Sequence, residues 1–206
     1  MSIDLSTLKT GDLILCCYEG KKGWFNTFDK MIKWGSHSNW THSAVVLKDP
    51  TFISPGLKGL YVWESSEESE SDPQDGKKKL GVQIAPLSEL LDSYKGSGSV
   101  IVRPIHSDLL TNEKLKEIHK IVYDKTYDLN IIDWFEAFIK KDFTKKQKTD
   151  RFWCSALVAC IYTKCGILDK DTDWSIVAPN DFDIAVTNQL TWTEGNYLEP
   201  VEKKLI

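Results

Sequence analysis

Apolar residues along this chain fall into two kinds of pattern: short continuous runs, and stretches with three- and four-residue spacing. Leu13-Ile14-Leu15-Cys16-Cys17-Tyr18 is a continuous run behind the turn Gly11-Asp12 and predicts a buried strand. Residues 40–47 and 59–64 predict two more, the latter rich in the aromatic and β-branched residues that strands favour. Residues 82–84 and 99–103 read as further short strands, the last ending at Pro104. Helical spacing occurs in Trp24, Phe25, Phe28, Met31 and Ile32, closed by Gly35. It recurs over one or two turns in 87–94, and in Leu115, Ile118, Ile121 and Val122 of a helix expected over 111–125, with Glu113 in its first turn. Trp134, Phe135, Phe138 and Ile139 predict a short helix, and 152–165 an apolar one closed by Gly166.

Strands grouped ahead of the last helix predict an α+β domain with an antiparallel sheet, spanning 1–206 as one unit. Two stretches interrupt the pattern. Residues 65–79 hold almost nothing apolar and read as an acidic, mobile surface excursion, while Lys140, Lys141, Lys145, Lys146 and Lys148 form a basic loop at about 140–150. With 41% hydrophobic and 27% charged residues the composition is globular, and a net charge of -4 argues against a nucleic-acid binder. Five cysteines, an odd number, with no apolar leader after Met1 and no run of membrane-spanning length, predict a soluble intracellular protein whose cysteines are not cross-linked.

Among those cysteines, Cys16 and Cys17 lie inside a strand, and Cys160 and Cys165 in or at the end of an apolar helix, where a free thiol packs as a small hydrophobe. Cys154 falls in the first turn of its helix, where free N–H groups and the dipole stabilise a thiolate and can hold an oxyanion. Of four histidines, His37 sits in a polar turn, His106 in a connection, and His119 on a helical stripe. His42 lies inside an apolar strand, where a polar ring needs partners. On its own it reads as a packed core histidine. Glu64, at the end of a neighbouring strand, is a candidate to accept its second N–H, and equally the first acid of the excursion.

Gly11-Asp12-Leu13-Ile14, Trp40-Thr41-His42-Ser43-Ala44-Val45-Val46, Tyr127-Asp128, Trp153-Cys154-Ser155-Ala156-Leu157-Val158 and Pro179-Asn180-Asp181-Phe182 resemble, in this order, the signature blocks of the circularly permuted NlpC-type papain-like enzymes, with YiiX-like proteins as a similar group. In that superfamily the ordinary order is cysteine on a helix, histidine on a strand and a polar residue on the next strand. Permutation moves the cysteine helix behind the sheet. The resemblance implies a permuted papain-like fold, with an antiparallel sheet or small barrel packed against the nucleophile's helix. It implies Cys154 as nucleophile, His42 as base and Glu64 as the group orienting His42, with no metal or organic cofactor. Tyr127 and Trp153 are implied to line the oxyanion or substrate position. The chain departs from the pattern at Ser43-Ala44, where a pair ending in glycine is usual, at Ala156, where glutamate is common, and in a longer lysine-rich stretch before Cys154.

The activity so implied is that of a cysteine peptidase or amidase cleaving a peptide or amino-acid amide through an acyl-enzyme. Two other functions fit the same scaffold. A thiol acyltransferase or phospholipase acting on acyl lipids, similar to lecithin:retinol acyltransferase-like proteins, would use the lysines against an anionic membrane. Those relatives carry Asn-Cys-Glu-His-Phe, which Trp153-Cys154-Ser155-Ala156-Leu157 does not match. A binding or virion-type structural module without turnover is the other.

Overall fold

The computed structural model describes residues 3–19, 40–66, 71–127, 151–186 and 189–206. The helices expected around Trp24–Ile32 and Trp134–Ile139, His37, and the basic loop lie outside the described residues, as does 67–70 of the acidic excursion. The architecture is α+β. Strands β1 (Leu13–Tyr18), β2 (His42–Lys48), β3 (Leu60–Ser66), β4 (Gly81–Pro86), β5 (Gly98–Arg103), β7 (Thr126–Tyr127), β8 (Arg151–Phe152) and β10 (Lys203–Lys204) form one sheet in the order β10-β5-β1-β2-β3-β4-β7-β8. All neighbours run antiparallel except β7 and β8. A second, two-stranded sheet pairs β6 (Ile105–His106) with β9 (Tyr197–Leu198). Helices α1 (Leu87–Tyr94), α2 (Asn112–Val122) and α3 (Cys154–Cys165) complete the described elements of regular structure beyond short 3-10 turns.

The long strands β1 to β5 are mostly apolar because both faces of the sheet are covered. Alternate residues divide between two cores. Leu13, Leu15, Val45, Leu47, Trp63 and Ile84 pack with α2 and α3, whereas Ile14, Ala44, Val46, Val62, Val100 and Val102 pack with Leu87 and Leu90 of α1. Helix α3 is buried on every side except at Lys164, as a helix apolar all round must be, and ends at Gly166 in the left-handed conformation (φ 83°). Helix α2 is amphipathic, with Leu115, Ile118 and Val122 inward and the Thr111 side chain capping Lys114 N–H. Among the described residues no helix is long and apolar enough to cross a membrane.

Two expectations need revision. The helix predicted over 152–165 starts at Cys154, because Arg151 and Phe152 instead pair in parallel with Thr126 and Tyr127. The excursion at 65–79 differs at both ends from a free loop. Ser65 and Ser66 belong to β3, and Asp72 and Lys79 are buried. Lys79 Nζ lies 2.9 Å from Asp72 Oδ2 and 2.8 Å from Asp75 Oδ2, and Tyr123, the C-cap of α2, donates to Asp75 at 2.7 Å. His119 Nε2 meets Gln74 Oε1 at 2.7 Å. An acidic sequence thus becomes a clasp against α2, because one buried lysine neutralises two of its carboxylates.

Gly81 is where β4 passes from one partner to the next. It opposes Ser66 on β3 and Thr126 on β7. Its φ is +140°, and a Cβ there would stand 2.2 Å from Lys125 O and 2.7 Å from Tyr127 N. The missing side chain admits β7, which in turn holds β8, the strand leading into Cys154.

Candidate active site

Cys154 opens α3 from an extended N-cap, Trp153, whose side chain makes no capping bond, so first-turn N–H groups remain for the site. One of them, Ser155 N–H, helps to lower the Cys154 thiol's pKa. The two residues flanking Cys154 are locked to one acceptor: Trp153 Nε1 donates to Val177 O at 3.0 Å and Ser155 Oγ at 2.7 Å. The sulfur therefore sits on a turn that is fixed from both sides.

His42 begins β2, and Cys16 faces it across the β1 pairing. The pairing of β2 with β3 covers only Val45–Trp63 to Lys48–Leu60, although the two strands continue to His42 and Ser66. Ladder bonds alternate sides, and Val46 N–H goes to Asp12 O on the β1 side at 2.8 Å, so Ser43 N–H is directed toward β3. There it helps to stabilise the Cys154 thiolate. His42 hydrogen-bonds Cys154, and its Nε2 meets Glu64 Oε2 at 2.7 Å. An ionised carboxylate only accepts, so Nε2 carries a hydrogen and Nδ1 is left to exchange a proton with Cys154.

Burial opposes every charge in this group, and the partners outweigh it. Desolvation pushes the His42 imidazolium down, but hydrogen bonds to Cys154 and Glu64 and their charges raise it from 6.5 to about 10. Burial pushes the Cys154 thiol up, yet its bond to His42, the imidazolium charge and the N–H groups of Ser43 and Ser155 bring it below its ordinary value. Glu64 is likewise held low against burial, by His42, Ser66 and Gln83. Three other buried thiols move the opposite way: desolvation raises Cys160 to about 12, Cys165 to about 11, and Cys16 well above its usual range. A buried thiolate–imidazolium pair oriented by a carboxylate can act as a nucleophile and a general acid–base.

Cys154, His42 and Glu64 are thus brought together from α3, β2 and β3. Tyr127 is half-buried on β7, opposite Phe152 in the pairing that leads to Cys154. Trp153 is buried with its indole N–H on Val177, which makes it an anchor for the turn. His106 stacks on Tyr197 at 4.7 Å, and His119 serves the clasp. Sequence reasoning did not single out Ser66 and Gln83, which bond Glu64, nor the Ser43 N–H. Gln83 lies between Val82 and Ile84 in a strand covered on both faces, and a polar side chain buried there needs partners. Among the described residues no cluster of three or more His, Cys, Asp and Glu could hold a metal ion. Neither the protein-family models nor the curated proteins compared with this chain match it, so the reading of the site rests on its geometry.

Proposed function

We propose that this protein is a cysteine hydrolase of the peptidase or amidase type with a permuted papain-like arrangement, its histidine and acid strands preceding its cysteine helix. The observation that carries the reading is a buried thiol lowered while the thiols of Cys16, Cys160 and Cys165 are raised, paired with an imidazole that a carboxylate holds at 2.7 Å. The Cys154 thiolate attacks an amide carbonyl carbon, and the carbonyl electrons move to oxygen, where N–H groups at the start of α3 stabilise the oxyanion. As the tetrahedral intermediate collapses, the C–N bond breaks and His42 delivers its proton to the departing amine. Water then gives a proton to His42 and attacks the thioester, releasing the carboxylic acid and restoring the thiolate–imidazolium pair.

The test needs no known substrate. The rate of Cys154 alkylation by iodoacetamide, followed by mass spectrometry, is expected to stay high down to about pH 5. An inflection near the unperturbed thiol value of about 8.5 would overturn the reading. A p-nitrophenyl ester should leave an acyl adduct on Cys154 that is absent from Cys154→Ala and hydrolyses more slowly in His42→Ala.

A further inference from the structure

The geometry points to Gln83, acting through Ser66, as a positioning residue that holds one oxygen of Glu64 so that the other stays aimed at His42. The inference rests on the cysteine-hydrolase reading and extends its machinery by one layer. A buried carboxylate needs donors at both oxygens. Oε2 faces His42, and Oε1 accepts from Ser66 Oγ at 3.0 Å and, at 3.4 Å, from Gln83 Nε2. A serine hydroxyl alone is a poor device for this, since its proton can rotate toward any acceptor. Gln83 removes that freedom. Its Nε2 stands 2.6 Å from Ser66 Oγ and can only donate, so the serine oxygen accepts there and its proton turns to Glu64.

Strand register builds this chain of bonds. Glu64 opposes Gln83 directly and Ser66 opposes Gly81, so Glu64, Ser66 and Gln83 share one face of the β3–β4 pair. Gln83 is 1% exposed, so water does not substitute for its amide. The reversed amide would set Oε1 against the Glu64 carboxylate, acceptor against acceptor, and would draw the Ser66 proton away from Glu64, so the orientation follows from the ionised carboxylate. A glutamine in this place favours the ionised carboxylate, and through it the imidazolium and the thiolate.

The experiment compares the pH profile of Cys154 alkylation in the wild type, Gln83→Met, Ser66→Ala and Gln83→Glu, with folding checked by circular dichroism. Methionine keeps the shape of glutamine and removes its donor. In Gln83→Met the acid limb should move up by about half a pH unit, making alkylation about threefold slower at a fixed pH on that limb. Gln83→Glu, which sets a second acid beside the first, should move it further. A folded Gln83→Met with the wild-type profile overturns the inference, even if its melting temperature falls, since a purely structural role lowers stability and leaves the profile in place. Should Gln83→Met fail to fold, Ser66→Ala decides by the same criterion. A wild-type profile with its inflection at the unperturbed thiol value overturns the hydrolase reading itself, and this inference with it. A low wild-type inflection that Gln83→Met does not move overturns this inference alone.

Discussion

Replacing Glu64 with glutamine separates the charge of the carboxylate from its shape. The amide oxygen can still accept from His42 Nε2, and the amide NH2 can donate to Ser66 Oγ, so the site keeps its packing and loses one negative charge. The His42 and Glu64 side chains are 14% and 8% exposed, with nitrogen and oxygen 2.7 Å apart. Charges centred about 4 Å apart interact by about 4 kcal/mol at the effective dielectric near 20 that describes such sites. At about 1.4 kcal/mol per pKa unit this is an upper limit of about three units, and relaxation leaves one to three. His42 should fall from about 10 back toward its ordinary 6.5, and Cys154, deprived of a fully charged partner, should rise. The assay is the alkylation profile of Cys154 in the folded variant. The acid limb is expected to shift upward by one unit or more, about tenfold or more in rate on that limb, while the alkaline plateau persists. A folded Glu64→Gln protein with an unshifted limb would refute the electrostatic account of the site.

The stability contributed by the pair has its own pH signature. His42 is raised, so its contribution is full below 6.5 and is lost as pH rises toward about 10; Cys154 is lowered, so its contribution is full above 9.0 and is lost as pH falls. Above 9.0 Cys154 is ionised folded or unfolded and only the His42 slope remains, so the urea-unfolding free energy of the wild type minus that of Cys154→Ala/His42→Ala should decline as pH rises from 9.0 toward about 10. A rise in that difference over this range would contradict the proton linkage. Gly81→Ala forces a Cβ to within 2.2 Å of Lys125 O at a φ of +140°, and should destabilise by about 2 kcal/mol or more and slow Cys154 alkylation; a urea midpoint equal to wild type would show that β7 does not need the gap. Lys79→Met leaves Asp72, whose side chain is 0% exposed, without its cation, and should cost about 3 kcal/mol in chemical denaturation, whereas Lys120→Ala breaks an exposed pair and should cost less than about 0.5 kcal/mol.

Much of the fold is legible in the chain because burial and periodicity are local properties. The runs at Leu13–Tyr18 and in β2 mark strands covered on both faces, the spacing of Leu115, Ile118 and Val122 marks α2, and Gly166 marks the end of α3. Position at the start of that helix was enough to separate Cys154 from four other cysteines, whereas His42 by itself reads as a packed core histidine, and only the resemblance of the ordered sequence blocks joined it and Glu64 to Cys154. Tertiary structure decided which polar groups meet. The pairing of Arg151-Phe152 with Thr126-Tyr127 moved the helix start to Cys154, the β3–β4 register set Gln83 against Glu64, and the early end of the β2–β3 ladder released Ser43 N–H to help stabilise the thiolate. Lys79 turned an acidic stretch that reads as solvated into a buried clasp. Each of these depends on the alignment of residues far apart in the chain, and a shift of one residue in register would send the same side chains to the opposite face of the sheet.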